Sequence, residues 1–347
     1  MAALVAGCWD STEPPPTSTS LDAASVTDAF TRNWSDDGKA AAAVFAFDEG
    51  EARVDDPYDA NDVETAQRSG ATMWSVGQWL SPQEQWQKFE DVGDGETAGA
   101  RNPEAARTLA VSLSPYLGAM VGDYRTDVLP GFPPEPLPGS TWPDPDRDNS
   151  FSGAVRMFAL ANTDEIAGKR LIRDAQELAL QYAEKYASDP HAPGAARNLT
   201  WAGALTGVID RGTSLGMSDS IGDNTQKSAC QRKAEALTQP GDRAQGVRGN
   251  LAQDADTFGV SLECIGSRFP LLAFTQAHYY ILSRMNISPE IQAQYSELFE
   301  DGKLRPWKDL SGSGDSTSPN LTPDLNELLG RVGDSQSLID GYNAVMR

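Results

Sequence analysis

The chain has 347 residues, of which 39% are hydrophobic and 22% are charged, a composition that suits a folded protein of one large or two modest domains. Its 50 acidic residues outnumber its 28 basic ones, and the resulting net charge of −22 argues against binding to nucleic acid or to anionic lipid headgroups. The same charge either serves solubility alone or favours cationic partners and divalent ions. No run of about 18 apolar residues occurs, so no transmembrane helix is predicted.

The N-terminus carries a short motif that resembles a bacterial lipobox, the site at which a lipoprotein signal peptide is cut and its cysteine acylated. The motif is Leu4-Val5-Ala6-Gly7-Cys8, and it predicts Cys8 as a lipid anchor. Residues 9–20 (WDSTEPPPTSTS) are typical of a disordered tether, so residues 1–20 are predicted to be a truncated signal with its tether. Only seven residues precede Cys8 and none is basic, whereas a full signal peptide has a positive start and a longer apolar stretch. The alternatives are a start assigned too far downstream and an accidental match with one stray thiol.

Residues 21–127 are predicted to form an N-terminal helical subdomain. Pro115 should kink or divide its last helix. Apolar spacing predicts a helix over 21–47 broken at 36–38, an acidic loop over 48–61, helices over 63–80 and 83–89, a turn at 93–95, and a helix opened by Asn102-Pro103.

A proline-rich crossover is predicted over residues 128–150. Seven prolines fall in this stretch, too many for a helix or a central strand. Phe132, Leu137 and Trp142 give it apolar side chains to bury, which predicts a rigid segment laid over the surface.

A central and C-terminal helical subdomain is predicted over residues 151–310. A long helical stretch covers 151–186, with Asn162 or Thr163 as the cap of its longest part and a stop at 188–190. The next helix, over 195–209, is predicted to end with Gly212 as its C-cap, and its Gly203-x-x-x-Gly207 motif indicates close backbone packing. Further helices are predicted over 224–237, 247–265, 271–285 and 289–299.

Residues 311–347 are predicted to hold a Gly/Ser linker and the C-terminal helices, with one or two helical turns within 325–345. Almost no segment alternates with a period of two residues. The predicted fold class is therefore all-α: a multi-helix bundle with a proline-rich crossover and little or no β structure.

The two remaining cysteines, Cys230 and Cys264, are predicted to form a disulfide, because a pair of cysteines in an exported protein normally bonds. Such a bond would contribute about 3–4 kcal/mol in the chain-entropy description. The alternative is two buried free thiols. Two cysteines without a neighbouring histidine make a poor metal site, and no metal or other cofactor is predicted.

Three further patterns resemble chemical sites. Gly212-Thr213-Ser214-Leu215-Gly216 matches the G-x-S-x-G nucleophile motif, but a helix precedes it where the motif needs a strand, so a helix-ending loop is the favoured interpretation. A triad would also require Asp254 and His278. His278 lies on an apolar helical stripe and is predicted to be a hydrogen-bonded core residue.

The third pattern places Asp144, Asp146 and Asp148 at the first, third and fifth positions of an EF-hand-like loop. Position twelve is Val155, where calcium coordination requires a bidentate glutamate. Capping of the following helix is favoured, and a weak calcium site is the alternative.

Several stretches resemble the helical actinobacterial proteins found with type VII secretion and polymorphic-toxin loci, which are often described as containing a TPR-like repeat region. The resemblance spans roughly residues 25–290. It implies no catalytic residue, and members of this family are often longer and can end in a toxin domain. The stretches that carry it are 33–38 (NWSDDG), 101–103 (RNP) through 114–117 (SPYL), the helix over 158–182, and 201–205 (WAGAL) through 210–212 (DRG).

The function predicted from these features is a non-enzymatic lipoprotein, anchored through Cys8 to the outer face of a Gram-positive cell membrane, that binds a protein partner. The resemblance implies a type VII secretion accessory or a toxin-protective protein. One alternative is an exported, carboxylate-dependent cell-wall hydrolase. Another is a cytoplasmic or secreted structural component with a chance lipobox.

Overall fold

Helices make up nearly all the regular structure in the described part of this chain. The computed structural model describes residues 23–93, 95–123, 131–132, 152–217, 232, 236, 269–306, 310, 321–334 and 336–346. Within these ranges, the strands are confined to one antiparallel hairpin of two residues a side. The predicted all-α fold class is therefore confirmed.

The helices before the crossover are short, apart from one of 21 residues. They are α1 (Ala23–Thr31), α2 (Lys39–Ala42), a 3-10 turn (Ala43–Phe45), α3 (Glu49–Ala52), α4 (Ala60–Leu80), α5 (Gln83–Glu90), α6 (Ala98–Arg101), α7 (Pro103–Leu113), a second 3-10 turn (Ser114–Tyr116) and α8 (Leu117–Met120).

The elements after the crossover include the longest helix, of 24 residues, among those described. They are α9 (Ser152–Asn162), α10 (Glu165–Ser188), α11 (Ala196–Gly216), α12 (Phe269–Arg284), α13 (Pro289–Gln294), β1 (Phe299–Glu300), β2 (Lys303–Leu304), α14 (Leu321–Val332) and α15 (Gln336–Met346).

Several helix boundaries lie at or near prolines, where the sequence predicted them. Pro103 is the first residue of α7, a position at which its missing N–H costs nothing. Pro115 lies in the 3-10 turn that separates α7 from α8, as predicted. The α10 helix ends at Ser188, directly before Asp189, which also confirms the predicted stop.

The cap of α10 differs from the prediction. Asp164 is the N-cap, and its Oδ1 accepts a hydrogen bond from the Ala167 N–H at 2.8 Å. Asn162 is instead fully buried, and its Nδ2 donates to the Phe158 carbonyl oxygen at 2.9 Å. A Cβ on Gly168 would lie 2.5 Å from Asn162 Oδ1. The Asn162 side chain is therefore held in the junction between α9 and α10 and does not act as the cap.

The α11 helix also runs further than predicted. It continues through Gly212 to Gly216, so the interpretation of Gly212 as a C-cap was wrong. A Cβ on Gly212 would lie 2.9 Å from Phe158 Cβ and 3.0 Å from the Val155 carbonyl oxygen. This glycine lets α9 pack closely on α11, and it does not end the helix.

The C-terminal part contains a hairpin that the prediction missed. The helix predicted over 289–299 ends at Gln294, and Phe299 and Glu300 pair with Leu304 and Lys303. Asp301 and Gly302 form the turn with φ of 51° and 75°, the left-handed conformation of a two-residue hairpin loop. The helices α14 and α15 have 12 and 11 residues, more than the one or two turns predicted.

The core is built around α9, α10 and α11, which pack on one another. The α4 helix packs on α9, α7 packs on α10, α12 packs on α10, and α15 packs on α11. The buried apolar residues form a cluster that extends from Val26 to Val345. The predicted subdomain boundaries remain predictions.

The crossover is fixed to the N-terminal helices at Phe132. The Phe132 ring is buried, stacks on Tyr116 with ring centroids 4.9 Å apart, and meets Trp74 edge to face at 5.5 Å. This contact confirms the predicted burial of Phe132. Leu137 and Trp142 lie outside the described residues. The helix predicted over 247–265, the linker over 311–319 and nearly all of the helix predicted over 224–237 also lie outside them.

Within the described residues, no helix has both the length and the apolar character that crossing a bilayer would require.

Candidate interaction surface

Most of the residues that the sequence singled out lie outside the described part of the chain. This holds for the predicted lipid anchor Cys8, for the predicted disulfide partners Cys230 and Cys264, and for Asp144, Asp146 and Asp148 of the EF-hand-like stretch. Of that stretch, the structure places Val155, which is buried in α9. The anchor, the disulfide and the calcium alternative therefore stay predictions.

The G-x-S-x-G motif lies inside α11 and does not form the predicted loop at a helix end. A nucleophile elbow needs a strand, a sharp turn and then a helix, so that the serine hydroxyl stands exposed. Ser214 has helix on both sides, and the motif's glycines face α9, where a Cβ on Gly216 would lie 2.3 Å from the Ala159 carbonyl oxygen. The motif is a helix-packing feature at this position.

His278 occupies the core position that its apolar stripe predicted. Its side chain is completely buried, and Nδ1 forms a hydrogen bond with Oδ1 of Asn326 in α14. The bond links α12 to α14, and these helices also pack on each other. The prediction of a hydrogen-bonded core histidine is confirmed.

Two arginines approach backbone carbonyl groups at helix ends: Arg156 of α9, which is buried, and Arg211 of α11, which is half-buried. Arg156 donates to Gln83 Oε1 at 2.5 Å, and Arg211 donates to the Val345 carbonyl oxygen at 2.6 Å. Burial lowers the pKa of the Arg156 guanidinium, and neighbouring Arg211 lowers that pKa further. Burial also lowers the pKa of Arg211.

The position of Arg211 accounts for its partial burial. Val345 lies in the last turn of α15, whose free carbonyl groups carry partial negative charge, so a cation there stabilises the helix end. Arg156 similarly approaches the Leu80 carbonyl oxygen, at the last residue of α4, at 3.5 Å. Both arginines therefore have structural roles at helix ends.

Histidine, cysteine, aspartate and glutamate side chains of the described ranges do not come together in any group of three or more that could hold a metal ion.

The most distinctive exposed feature is an aromatic side chain set among carboxylates between α3 and α4. Tyr58 is 96% exposed, the highest value among the exposed large hydrophobic side chains described. Asp55, Asp56 and Asp59 are exposed beside it along the chain, and Asp62 is half-buried. We call these five residues the Tyr58 surface.

The backbone of this surface is ordered by its own carboxylates. Asp62 Oδ2 accepts hydrogen bonds from the N–H groups of Asp55 and Asp56, both at 2.7 Å. Asp56 Oδ1 accepts from the Tyr58 N–H at 2.9 Å, and Asp59 caps α4 by accepting from the Asn61 N–H at 2.9 Å. These bonds hold the loop in one shape and leave the Tyr58 ring pointing into solvent.

The charge around Tyr58 is strongly one-sided. Residues 48–64 contain eight acidic side chains and one basic side chain, Arg53, which pairs with Glu49 at 3.0 Å. Two of the carboxylates, Asp59 and Asp62, are explained by the N-terminus of α4, where negative charge is stabilising. The exposed ring of Tyr58 does not contribute to capping of α4, so the helix end does not account for its presence.

Such an arrangement can recognise a cation. Carboxylates bind guanidinium and ammonium groups through charge-assisted hydrogen bonds, and a tyrosine ring attracts the same groups through its π face. Acidic composition predicted a loop over 48–61, but Tyr58 was not predicted to be a functional residue. The exposure of Tyr58 could have been predicted, because this aromatic residue follows Pro57 in a stretch without apolar periodicity, which does not pack a face against a core.

Comparisons with protein-family models, with curated protein sequences and with solved structures found no match to this chain.

Proposed function

We propose that this protein is a non-enzymatic, lipid-anchored lipoprotein on the outer face of the cell membrane and that it binds a basic protein partner through the Tyr58 surface. The observation that carries the partner-binding part is the fully solvated Tyr58 ring on an ordered, acidic loop. Tyrosine is enriched at protein interfaces because it combines a large apolar area with a polar tip and few rotatable bonds.

The lipobox-like sequence supports the anchor. Cys8 is followed by the Pro/Ser/Thr-rich residues 9–20, and α1 begins at Ala23. The composition of these twelve residues predicts a tether, and a flexible tether of that length would have a root-mean-square span of about 20 Å, enough to hold a folded body clear of the headgroups. The strongly negative body would also be repelled by anionic lipid, which favours a protein held away from the bilayer by its tether.

The net charge supports a basic partner. At −22, the chain attracts cations at long range, and such attraction raises association rates more than it raises final affinity. Specific contact then requires a particular place on the surface, and the Tyr58 surface offers an aromatic group for contact together with carboxylates for charge pairing. The resemblance to type VII secretion and polymorphic-toxin proteins makes a secretion accessory or a toxin-protective role the proposed context.

A binding measurement with a defined basic probe tests the partner-binding part. The probe is a fluorescein-labelled nona-arginine peptide, followed by anisotropy at fixed ionic strength. Tyr58→Ala should weaken binding about tenfold, as loss of an interface hot spot does. Tyr58→Phe keeps the ring and should retain most of the affinity.

Asp55→Asn and Glu297→Gln form a matched pair, because each removes one exposed carboxylate and only the first belongs to the Tyr58 surface. Asp55→Asn should weaken binding by up to about fivefold, the range of a single exposed ion pair. Glu297→Gln should leave the dissociation constant unchanged. Equal weakening by the two variants, or full affinity in Tyr58→Ala, would show that only the net charge attracts the peptide.

A further inference from the structure

No further inference is drawn: the strongest candidate, the glycine-lined groove at Gly203 and Gly207 of α11, is filled by α15 of the same chain, and nothing in the described residues points to another occupant.

Discussion

Gly203 of α11 lies directly against the backbone of Leu338 in α15, so closely that a Cβ on Gly203 would be 2.0 Å from the Leu338 carbonyl oxygen. The contact is reciprocal, because a Cβ on Gly341 of α15 would be 2.0 Å from the Thr200 carbonyl oxygen. Gly207 extends the contact one turn along α11, against Val345. The glycine pair that the sequence predicted to mark close backbone packing does so between these two helices.

Gly203→Ala should therefore destabilise the protein. The added methyl group meets backbone atoms, which cannot rotate away as a side chain could, so α15 must move outward. We expect a loss of unfolding free energy on the order of 1–3 kcal/mol or more, measured by urea denaturation. Asn343→Ala is the control, since Asn343 is exposed on α15 and should change stability by less than about 0.5 kcal/mol. Equal urea midpoints for Gly203→Ala and the wild type would contradict the close packing.

Tyr342 ties the same two helices through a hydrogen bond. Its hydroxyl donates to Asp210 Oδ2 of α11 at 3.0 Å, and the Tyr342 side chain is buried while Asp210 is half-buried. Tyr342→Phe removes this donor from a charged acceptor and should cost about 1.5–3 kcal/mol of unfolding free energy. Tyr58→Phe makes the same chemical change at a fully exposed ring and should stay within about 0.5 kcal/mol. A smaller loss in Tyr342→Phe than in Tyr58→Phe would refute this account.

Tyr116→Phe is expected to act in the opposite direction. The Tyr116 ring is buried between Phe47 and Phe132, and among the described residues its hydroxyl has no hydrogen-bond partner. A buried, unbonded hydroxyl costs about 1–3 kcal/mol of desolvation, which phenylalanine avoids with the same ring. The variant should unfold at equal or higher urea concentration than the wild type. A clear loss of stability would indicate that the hydroxyl is bonded in solution.

Buried tyrosines also predict sensitivity to alkali. Burial raises the pKa of Tyr116, Tyr280 and Tyr342, and the carboxylates of Glu184 and Asp210 raise it further for the last two. In the unfolded chain, tyrosine ionises near pH 10. Above that pH, the unfolded chain releases protons that the folded chain keeps, so the unfolding free energy is fully present below pH ~10 and falls as the pH rises.

Urea midpoints measured between pH 8 and pH 11.5 test this dependence. The midpoint should be steady up to pH ~10 and then fall. In Tyr116→Phe the fall should be shallower, because one of the shifted groups is gone. A midpoint that is constant to pH 11.5, or an unchanged slope in Tyr116→Phe, would show that these hydroxyls do not resist ionisation in the folded state.

The sequence predicted helix starts and stops best where a residue's own geometry decides them. Pro103 lacks an N–H and has a fixed φ, so it marks a helix start, and Pro115 divides a helix for the same reasons. Prediction failed where a tertiary contact decides. Gly212 carries the local signal of a helix end, yet it lies inside α11. It is glycine there because α9 packs so closely that a side chain would not fit.

Two other features, the hairpin turn and the exposure of Tyr58, were visible in the sequence but were not predicted. A third, the hydrogen bonding of Asp62, has no signal in the sequence. The Asp301-Gly302 pair is a strong hairpin signal that the prediction did not use, and the helix predicted over 289–299 ended inside the first strand of that hairpin. The exposure of Tyr58 could be inferred from its acidic, aperiodic surroundings. The hydrogen bonds by which Asp62 orders this loop could not be inferred, because they join Asp62 to backbone N–H groups six and seven residues earlier in the chain.

If the protein is exported as proposed, Cys230 and Cys264 should form a disulfide. In the protein isolated from its native host, peptide mapping without reductant should recover these two cysteines in one disulfide-linked fragment. Reduction should then lower the unfolding free energy by about 3–4 kcal/mol in the chain-entropy description. Recovery of both as free thiols would favour a reducing compartment and count against the proposed location.

The most direct test of the central proposal is the intact mass of the protein extracted from host membranes, compared with a Cys8→Ser variant expressed from the same locus. We expect the wild-type protein to begin at Cys8, to carry the added mass of a diacylglyceryl group and to partition into detergent. The variant should lack the added mass and should not partition into detergent. Wild-type protein with an unmodified Cys8 thiol, recovered from the soluble fraction, would contradict the proposal.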